Sequence, residues 1–254
     1  MTSKILRVQQ SFSKACHTYD EHADIQRQAA KQLMEQLPEN PSSILDVGCG
    51  TGILTQLLIS TYPEALTTAL DMSSNMIQMS KTKTDPHPVT YVKSTIESFK
   101  SNIAFDLVVS NATFHWVSDL DTLLRKCFDM LSPDGTMAFS FFGPQTYREL
   151  SHVLSTYYGE TAVTSSASFL DSQQVLHSLR LLFKHANIHL VEVRKSFPSF
   201  FSFLNNMRRT GTNGISPPKG LWTPDTLIKL ESLYLRFYRD ILVTYQIYYC
   251  TGIK

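Results

Sequence analysis

The chain predicts an α/β fold: a doubly wound, mostly parallel seven-stranded sheet with an N-terminal helical lid and helical insertions in its C-terminal half. Three observations carry this. Short apolar runs alternate with stretches of helical periodicity between residues 44 and 142. The first of these runs, Ile44-Leu45-Asp46-Val47, opens onto a turn with glycine at 48, 50 and 52. Two further strand patterns, 188–195 and 241–250, bring the expected strands to seven.

The elements follow in order. Residues 5–37 read as helical, with Phe12, Ala15 and Tyr19 recurring at helical spacing, until Pro38 and Pro41 end the segment. Residues 44–48 read as a buried strand, and 53–61 as the helix after the glycine turn. A second strand is expected at 66–71, a helix at 73–82, and strands at 89–93 and 105–110. A helix over 119–131 leads through the turn Ser132-Pro133-Asp134-Gly135 into a fifth strand at 136–142. Residues 145–157 and 171–186 read as helices, and 199–240 as helical but broken by glycines and prolines. The closing strand, reached through that helical insertion, can add to the far edge of the sheet. The divisions expected are a cap over 1–40, a binding core over 41–143 and helical segments at 144–187 and 198–240, within one domain of 254 residues.

Composition narrows the function classes. Net charge is +1, without the basic excess of a nucleic-acid binder. The cysteines at 16, 49, 127 and 250 form no CxxC pair, which argues against a metal site or a disulfide framework. Met-Thr-Ser-Lys leads into Gln- and Ser-containing sequence, not an apolar signal core, and no run reaches the ~20 apolar residues of a membrane span. A soluble, cytoplasmic protein is expected, with no membrane partner.

The turn reads Asp46-x-Gly48-Cys49-Gly50-x-Gly52. A dinucleotide turn would read GxGxxG. The alternating glycines resemble motif I of the class I S-adenosylmethionine-dependent methyltransferases, whose fold is Rossmann-like. The physical logic is that the ligand carries an amino-acid end and not a pyrophosphate. Bare backbone at the glycines approaches that end and the ribose, and Asp46 supplies negative charge nearby. Asp71 closes the second strand, where a carboxylate can accept both ribose hydroxyls; capping of the following helix is its other reading. Met72 is placed to lie on the adenine face. Thr95 stands where many such enzymes carry an aspartate, so its hydroxyl, or the backbone of Thr95 and Ile96, is expected at the adenine. Ser110 and Asn111 end the fourth strand and are expected at the methionine part or the substrate. His115 and Trp116 have two readings, catalysis or pocket wall, and the wall is preferred.

Four further segments resemble the malonyl-acyl-carrier-protein O-methyltransferases of biotin synthesis: the Phe12-Ser13-Lys14-Ala15 to Gln26 opening, Phe142 to Leu150, Leu204 to Asn213 followed by Leu221-Trp222-Thr223-Pro224, and Val243 to Tyr249. The resemblance implies methyl transfer from S-adenosylmethionine to the free carboxylate of malonyl-acyl carrier protein (or malonyl-coenzyme A), with S-adenosylhomocysteine as product. The carboxylate is ionised at neutral pH, so no general base is required. Arg148 is the first candidate to hold it, because guanidinium binds carboxylate bidentately; Arg208 and then Arg209 follow. Tyr19 and Gln26 could belong to a lid. The N-terminal helix, Gln145–Leu150 and Arg208–Asn213 are expected to wall the methyl group. Arg180, Lys184, Arg194, Lys195, Arg208, Arg209 and Lys219 could recruit an acidic carrier protein. Two other readings stay open: a class I methyltransferase for another small acid or quinone precursor, and a methyltransferase-like assembly factor.

Overall fold

The computed structural model describes residues 3–117, 119–159, 164–212 and 223–254. Three helices open the chain: α1 (Ser3–Ala15), α2 (Tyr19–His22) and α3 (Asp24–Met34). The single helical stretch expected over 5–37 is therefore divided. Its last part belongs to the core, since Ala23, Ala29, Ala30 and Leu33 are fully buried.

The alternation then proceeds as β1 (Ser43–Val47), α4 (Ile53–Thr61), β2 (Leu66–Asp71), α5 (Ser74–Thr84), β3 (Thr90–Lys93), β4 (Phe105–Asn111), α6 (Leu120–Met130) and β5 (Leu131–Phe142). The C-terminal half adds α7 (Arg148–Tyr158), α8 (Ser172–Arg180), β6 (His185–Phe197), α9 (Phe200–Arg209), α10 (Pro224–Tyr238) and β7 (Ile241–Ile253). The turn expected at 132–135 lies inside β5 as a bulge. Pairing jumps from Phe105↔Leu131 to Leu107↔Thr136, and Asp134 takes φ 60°.

The seven strands lie in the order β3-β2-β1-β4-β5-β7-β6. The first five are parallel, and β7 runs antiparallel to both neighbours. The closing strand does not take the far edge; it inserts between β5 and β6. The burial pattern supplies the reason. Residues 243–250 are all buried, so β7 is covered on both faces. On β6 half-buried positions alternate with exposed ones between Ile188 and Ser196, as an edge strand requires. The two faces of the sheet carry separate cores. Ala30, Leu33, Leu58, Leu150, Phe203 and Tyr234 meet one face, and Leu123, Leu124, Cys127, Val175 and Leu179 meet the other. Among the described residues no helix is long and apolar enough to cross a membrane.

Candidate active site

The parallel strands release their chain at one end of the sheet, and the turn after β1 sits there. The amides of Gly48 and Cys49 both donate to the Leu70 carbonyl, at 2.7 and 3.0 Å, and strap the turn to β2. Gly48, Gly50 and Gly52 have φ of +75°, +54° and +87°, left-handed values that favour glycine. Their surroundings differ. A Cβ on Gly48 would come within 2.5 Å of Thr113, and one on Gly52 within 2.4 Å of Ser80 Oγ. A Cβ on Gly50 would meet nothing within 4 Å. Gly48 and Gly52 are thus required by packing, whereas Gly50 leaves bare backbone facing open space.

Asp71 ends β2 beside this turn. Its Oδ2 accepts from the Gly50 amide at 3.0 Å and its Oδ1 from the Ser73 amide at 2.7 Å. Burial raises its pKa, opposed by the amides of Ser73, Gly50 and Met72. Each oxygen keeps a lone pair for a further donor. Asp46 differs. It is 1% exposed and sits beneath the turn, off the cavity wall. Its Oδ2 accepts from Thr55 Oγ1 at 2.7 Å, and its Oδ1 has no hydrogen-bond partner among the described residues. Burial raises the carboxyl to about 7, against the Thr55 hydrogen bond and with a contribution from Asp71.

A cavity opens in front of the turn, with about 1210 Å³ of empty space, mouth included. Small-molecule sites occupy roughly 300–1,000 Å³. Of the residues expected at a ligand, Gly48, Cys49, Gly50, Asp71, Met72, Thr95, Ile96, Asn111 and Tyr19 line it. Asp46, Gly52 and Ser110 stand behind the wall; the Ser110 hydroxyl donates to the Val47 carbonyl at 2.7 Å and ties β4 to β1. Thr95 Oγ1 accepts from the Ser98 amide at 3.4 Å. Asn111 Nδ2 donates to the Gln26 carbonyl at 3.0 Å, and its Oδ1 accepts from Ser140 Oγ at 2.6 Å.

The N-terminal helices cross the mouth. Gln9 Nε2 donates to the Met72 carbonyl at 2.9 Å, and Asn75 Nδ2 donates to Ser13 Oγ at 3.0 Å. Phe12 meets Tyr19 and Trp116 edge-on, with centroids 6.2 and 6.0 Å apart. Gly211 lies against Phe12, where a Cβ would come within 3.0 Å of its ring. Gln9, Thr113 and Glu97 also line the cavity and went unnoticed in the sequence. Gln9 and Phe12, three residues apart on one helix, share a face; that spacing was the available signal.

The guanidinium candidates lie elsewhere. Arg148 is outside the cavity lining and already holds a carboxylate: its Nη1 and Nη2 donate to the two oxygens of Glu192 at 2.5 and 3.0 Å. Its Nε lies 3.4 Å from Glu149. Arg208 and Arg209 are exposed at the end of α9, off the lining. Gln145–Leu150 does not wall the cavity either. Gln145 N donates to Gln246 Oε1 at 3.0 Å, and the Thr244 amide donates to Glu149 at 2.9 Å, so this segment is zipped to β7. Two segments of the family resemblance, 142–150 and 243–249, are therefore one scaffold. Of the segment after α9, Asn213 and residues 221–222 lie outside the described residues.

His115 faces a smaller neighbouring pocket with Phe139, Phe141 and Phe169, whereas Trp116 lines the main cavity. Of the basic residues considered for a carrier protein, Arg180 and Arg194 are exposed, Lys184 lies 3.4 Å from Asp134 and Lys195 2.7 Å from Asp24. Lys219 lies outside the described residues.

The cavity fits S-adenosylmethionine on its own geometry. The uncovered Gly50 backbone leaves room for a close approach, the free lone pairs of Asp71 suit a pair of hydroxyls, and Met72, Ile96, Phe114 and Val117 offer apolar walls to a flat ring.

Comparison with known proteins agrees with this architecture. Residues 45–139 match the family model described as "Methyltransferase domain". The malonyl-[acyl-carrier protein] O-methyltransferase of Priestia megaterium is 34% identical over 253 residues, covering 92% of this chain and 92% of that one. The enzyme of that name from Bacillus cereus is 30% identical, covering 96% and 95%. Among solved structures, YcgJ of Bacillus subtilis shares the fold with a TM-score of 0.62 at 12% identity, covering 89% of this chain and 97% of that one. The plantazolicin methyltransferase BpumL, solved with SAH, gives 0.53 at 15% identity, covering 100% and 99%. The turn, the sheet order and full-length similarity lead to one assignment: the chain belongs to the malonyl-[acyl-carrier protein] O-methyltransferase family, built on the class I methyltransferase fold.

Proposed function

We propose that this chain methylates the free carboxylate of a malonyl thioester on acyl carrier protein, using S-adenosylmethionine. The observation that carries the reading is the Asp71–Gly50 cradle, opening onto a cavity roofed by Phe12 and Tyr19, in a chain 34% identical to such an enzyme over nearly its whole length. When bound, S-adenosylmethionine supplies an electrophilic methyl group on a positively charged sulfur. Asp71 and the Gly50 backbone would hold its ribose and amino-acid parts. Thr95, Ile96 and Met72 would hold its adenine.

The chain's own residues have little acid–base work to do. A malonyl carboxylate is ionised at neutral pH, being as acidic as an aspartate or more so. What remains is alignment and exclusion of water. Phe12, Tyr19 and Trp116 supply an aromatic cover, and the Gln9 and Asn75 hydrogen bonds hold α1 across the mouth. His115 takes no part as a base; it packs among Trp116, Phe142 and Phe169 at 4.8 to 5.1 Å between ring centroids. Exposed Arg180, Arg194, Arg208 and Arg209 are offered as the surface that an acidic carrier protein meets. The ester hides a charge, so chain-elongating enzymes accept the product on its way to a pimeloyl unit and biotin.

The test is mass spectrometry of malonyl-acyl carrier protein after incubation with enzyme and S-adenosylmethionine, beside malonyl-coenzyme A and free small acids. The mass of one added methylene on the carrier-bound malonyl group is expected, and Asp71→Ala abolishes it. Esterification of a free acid in preference to the carrier-bound one would overturn the substrate. Failure to esterify any of them, and failure to rescue a biotin auxotroph, would overturn the activity.

A further inference from the structure

The cavity has two ends, ordered by the sheet. Thr95 and Glu97 follow β3, Asp71 ends β2, the glycine turn follows β1, and Asn111 and Trp116 follow β4. The Asp71–Gly50 cradle occupies the middle, and the end beyond it is lined by Tyr19, Gln26, Asn111 and Trp116.

Two observations mark that end as a built site. The indole Nε1 of Trp116 is buried and has no hydrogen-bond partner among the described residues. A buried N–H without a partner is uncommon in folded proteins and calls for an explanation. The Trp116 ring is also fixed, with centroids of Phe12, His115 and Phe169 at 6.0, 4.8 and 5.9 Å, so its N–H points in a set direction. Gln26 is held from behind, its carbonyl accepting from Asn111 Nδ2 at 3.0 Å. Tyr19 is kept as a phenol, hence a donor, because burial and the nearby Asp20 and Asp71 push its ionisation upward. Among the described residues the cavity lining includes no lysine or arginine.

We propose that Trp116 Nε1–H, with Gln26 and Tyr19, forms a carboxylate subsite of neutral donors that holds the malonyl group as it is methylated. The proposal rests on the substrate reading above. Its logic is electrostatic. A carboxylate oxygen forms a bond to the methyl carbon, the carbon–sulfur bond breaks, and its electron pair stays on sulfur. One negative and one positive charge disappear together, and no proton moves. In a water-poor cavity such opposite charges attract strongly as they close. A guanidinium beside the carboxylate would stabilise the reactant more than the transition state, in which that charge is fading. Neutral N–H and O–H donors orient the oxygen with less of that penalty.

The experiment follows the indole directly. The chain has two tryptophans, so the Trp116 side-chain N–H resonance is assigned by its loss in Trp116→Phe. With S-adenosylhomocysteine bound, adding malonyl-acyl carrier protein is expected to move that resonance downfield, and its methyl ester is not. Trp116→Phe is expected to raise KM for the malonyl substrate about 10- to 100-fold, the worth of one hydrogen bond to a charged group, with S-adenosylhomocysteine affinity kept within about twofold. Ester formation by the wild type with an unmoved indole resonance, or with an unchanged KM in the variant, overturns this proposal alone. Absence of any malonyl ester from the wild type overturns it together with the substrate reading.

Discussion

Gly50 and Gly52 stand two residues apart with similar backbone angles, yet alanine at each should fail differently. At both, a side chain in left-handed backbone costs about 1–2 kcal/mol. At Gly52 the new Cβ would also lie 2.4 Å from Ser80 Oγ and 3.0 Å from Ser80 Cα. Ser80 is fully buried on α5, so the two helices must part, an overpacking cost of about 1–3 kcal/mol. Gly52→Ala should therefore lose about 2–5 kcal/mol, or roughly 4–20 °C in melting temperature at 2–4 °C per kcal/mol for a chain of this size. Gly50→Ala meets no atom within 4 Å and should lose only the backbone term, roughly 2–8 °C. Its methyl group, however, stands where the ligand would approach. Thermal melting and calorimetric titration with S-adenosylhomocysteine separate the two. Gly50→Ala should weaken binding by about tenfold or more, the effect of about 1.4 kcal/mol, while Gly52→Ala below its melting range stays within a few-fold of wild type. If Gly50→Ala binds like wild type, or Gly52→Ala melts no lower than Gly50→Ala, this division of labour is wrong.

Two other expectations follow from charge. Arg148→Ala removes a one-third exposed pair with Glu192, and should cost about 0–1 kcal/mol while leaving KM for the malonyl substrate unchanged; a large rise in KM would return the guanidinium to the site. Asp46 has a carboxyl raised from 3.8 to about 7. The folded state then holds its proton more tightly than the unfolded one. This contribution is complete below about pH 4 and lost as pH climbs to about 7, by up to ~4 kcal/mol at 1.36 kcal/mol per unit. Urea titrations across that range should show a falling stability that Asp46→Asn flattens, and an identical slope in both proteins would refute the assignment.

Much of the fold could be read in advance because its signals are local. The alternation of apolar runs and helical faces between residues 44 and 142 needs only a few neighbours to recognise. The edge and interior strands were harder. Polar alternation in 188–195 marks an edge, and the unbroken burial of 243–250 marks an interior strand, but only sheet pairing reveals which strand lies between β5 and β6. The N-terminal stretch was legible as helix, but not as three helices of which the last joins the core.

What the sequence by itself determined is the cradle: glycines at 48, 50 and 52 and a carboxylate at 71, because left-handed backbone and a strand-ending acid are requirements of a few adjacent residues. What only the tertiary structure decided is how distant groups are used. Arg148 has the right chemistry for a substrate carboxylate, yet strand β6 brings Glu192 to it from 44 positions away. Asp46 belongs to the motif but is folded beneath the turn against Thr55. Trp116, unremarkable in sequence, becomes a buried donor facing the cavity when α1 and the segment around Phe169 close around its ring. Backbone strain acts within a turn. The pairing of charges and donors depends on sheet order and helix docking, which many remote contacts set together.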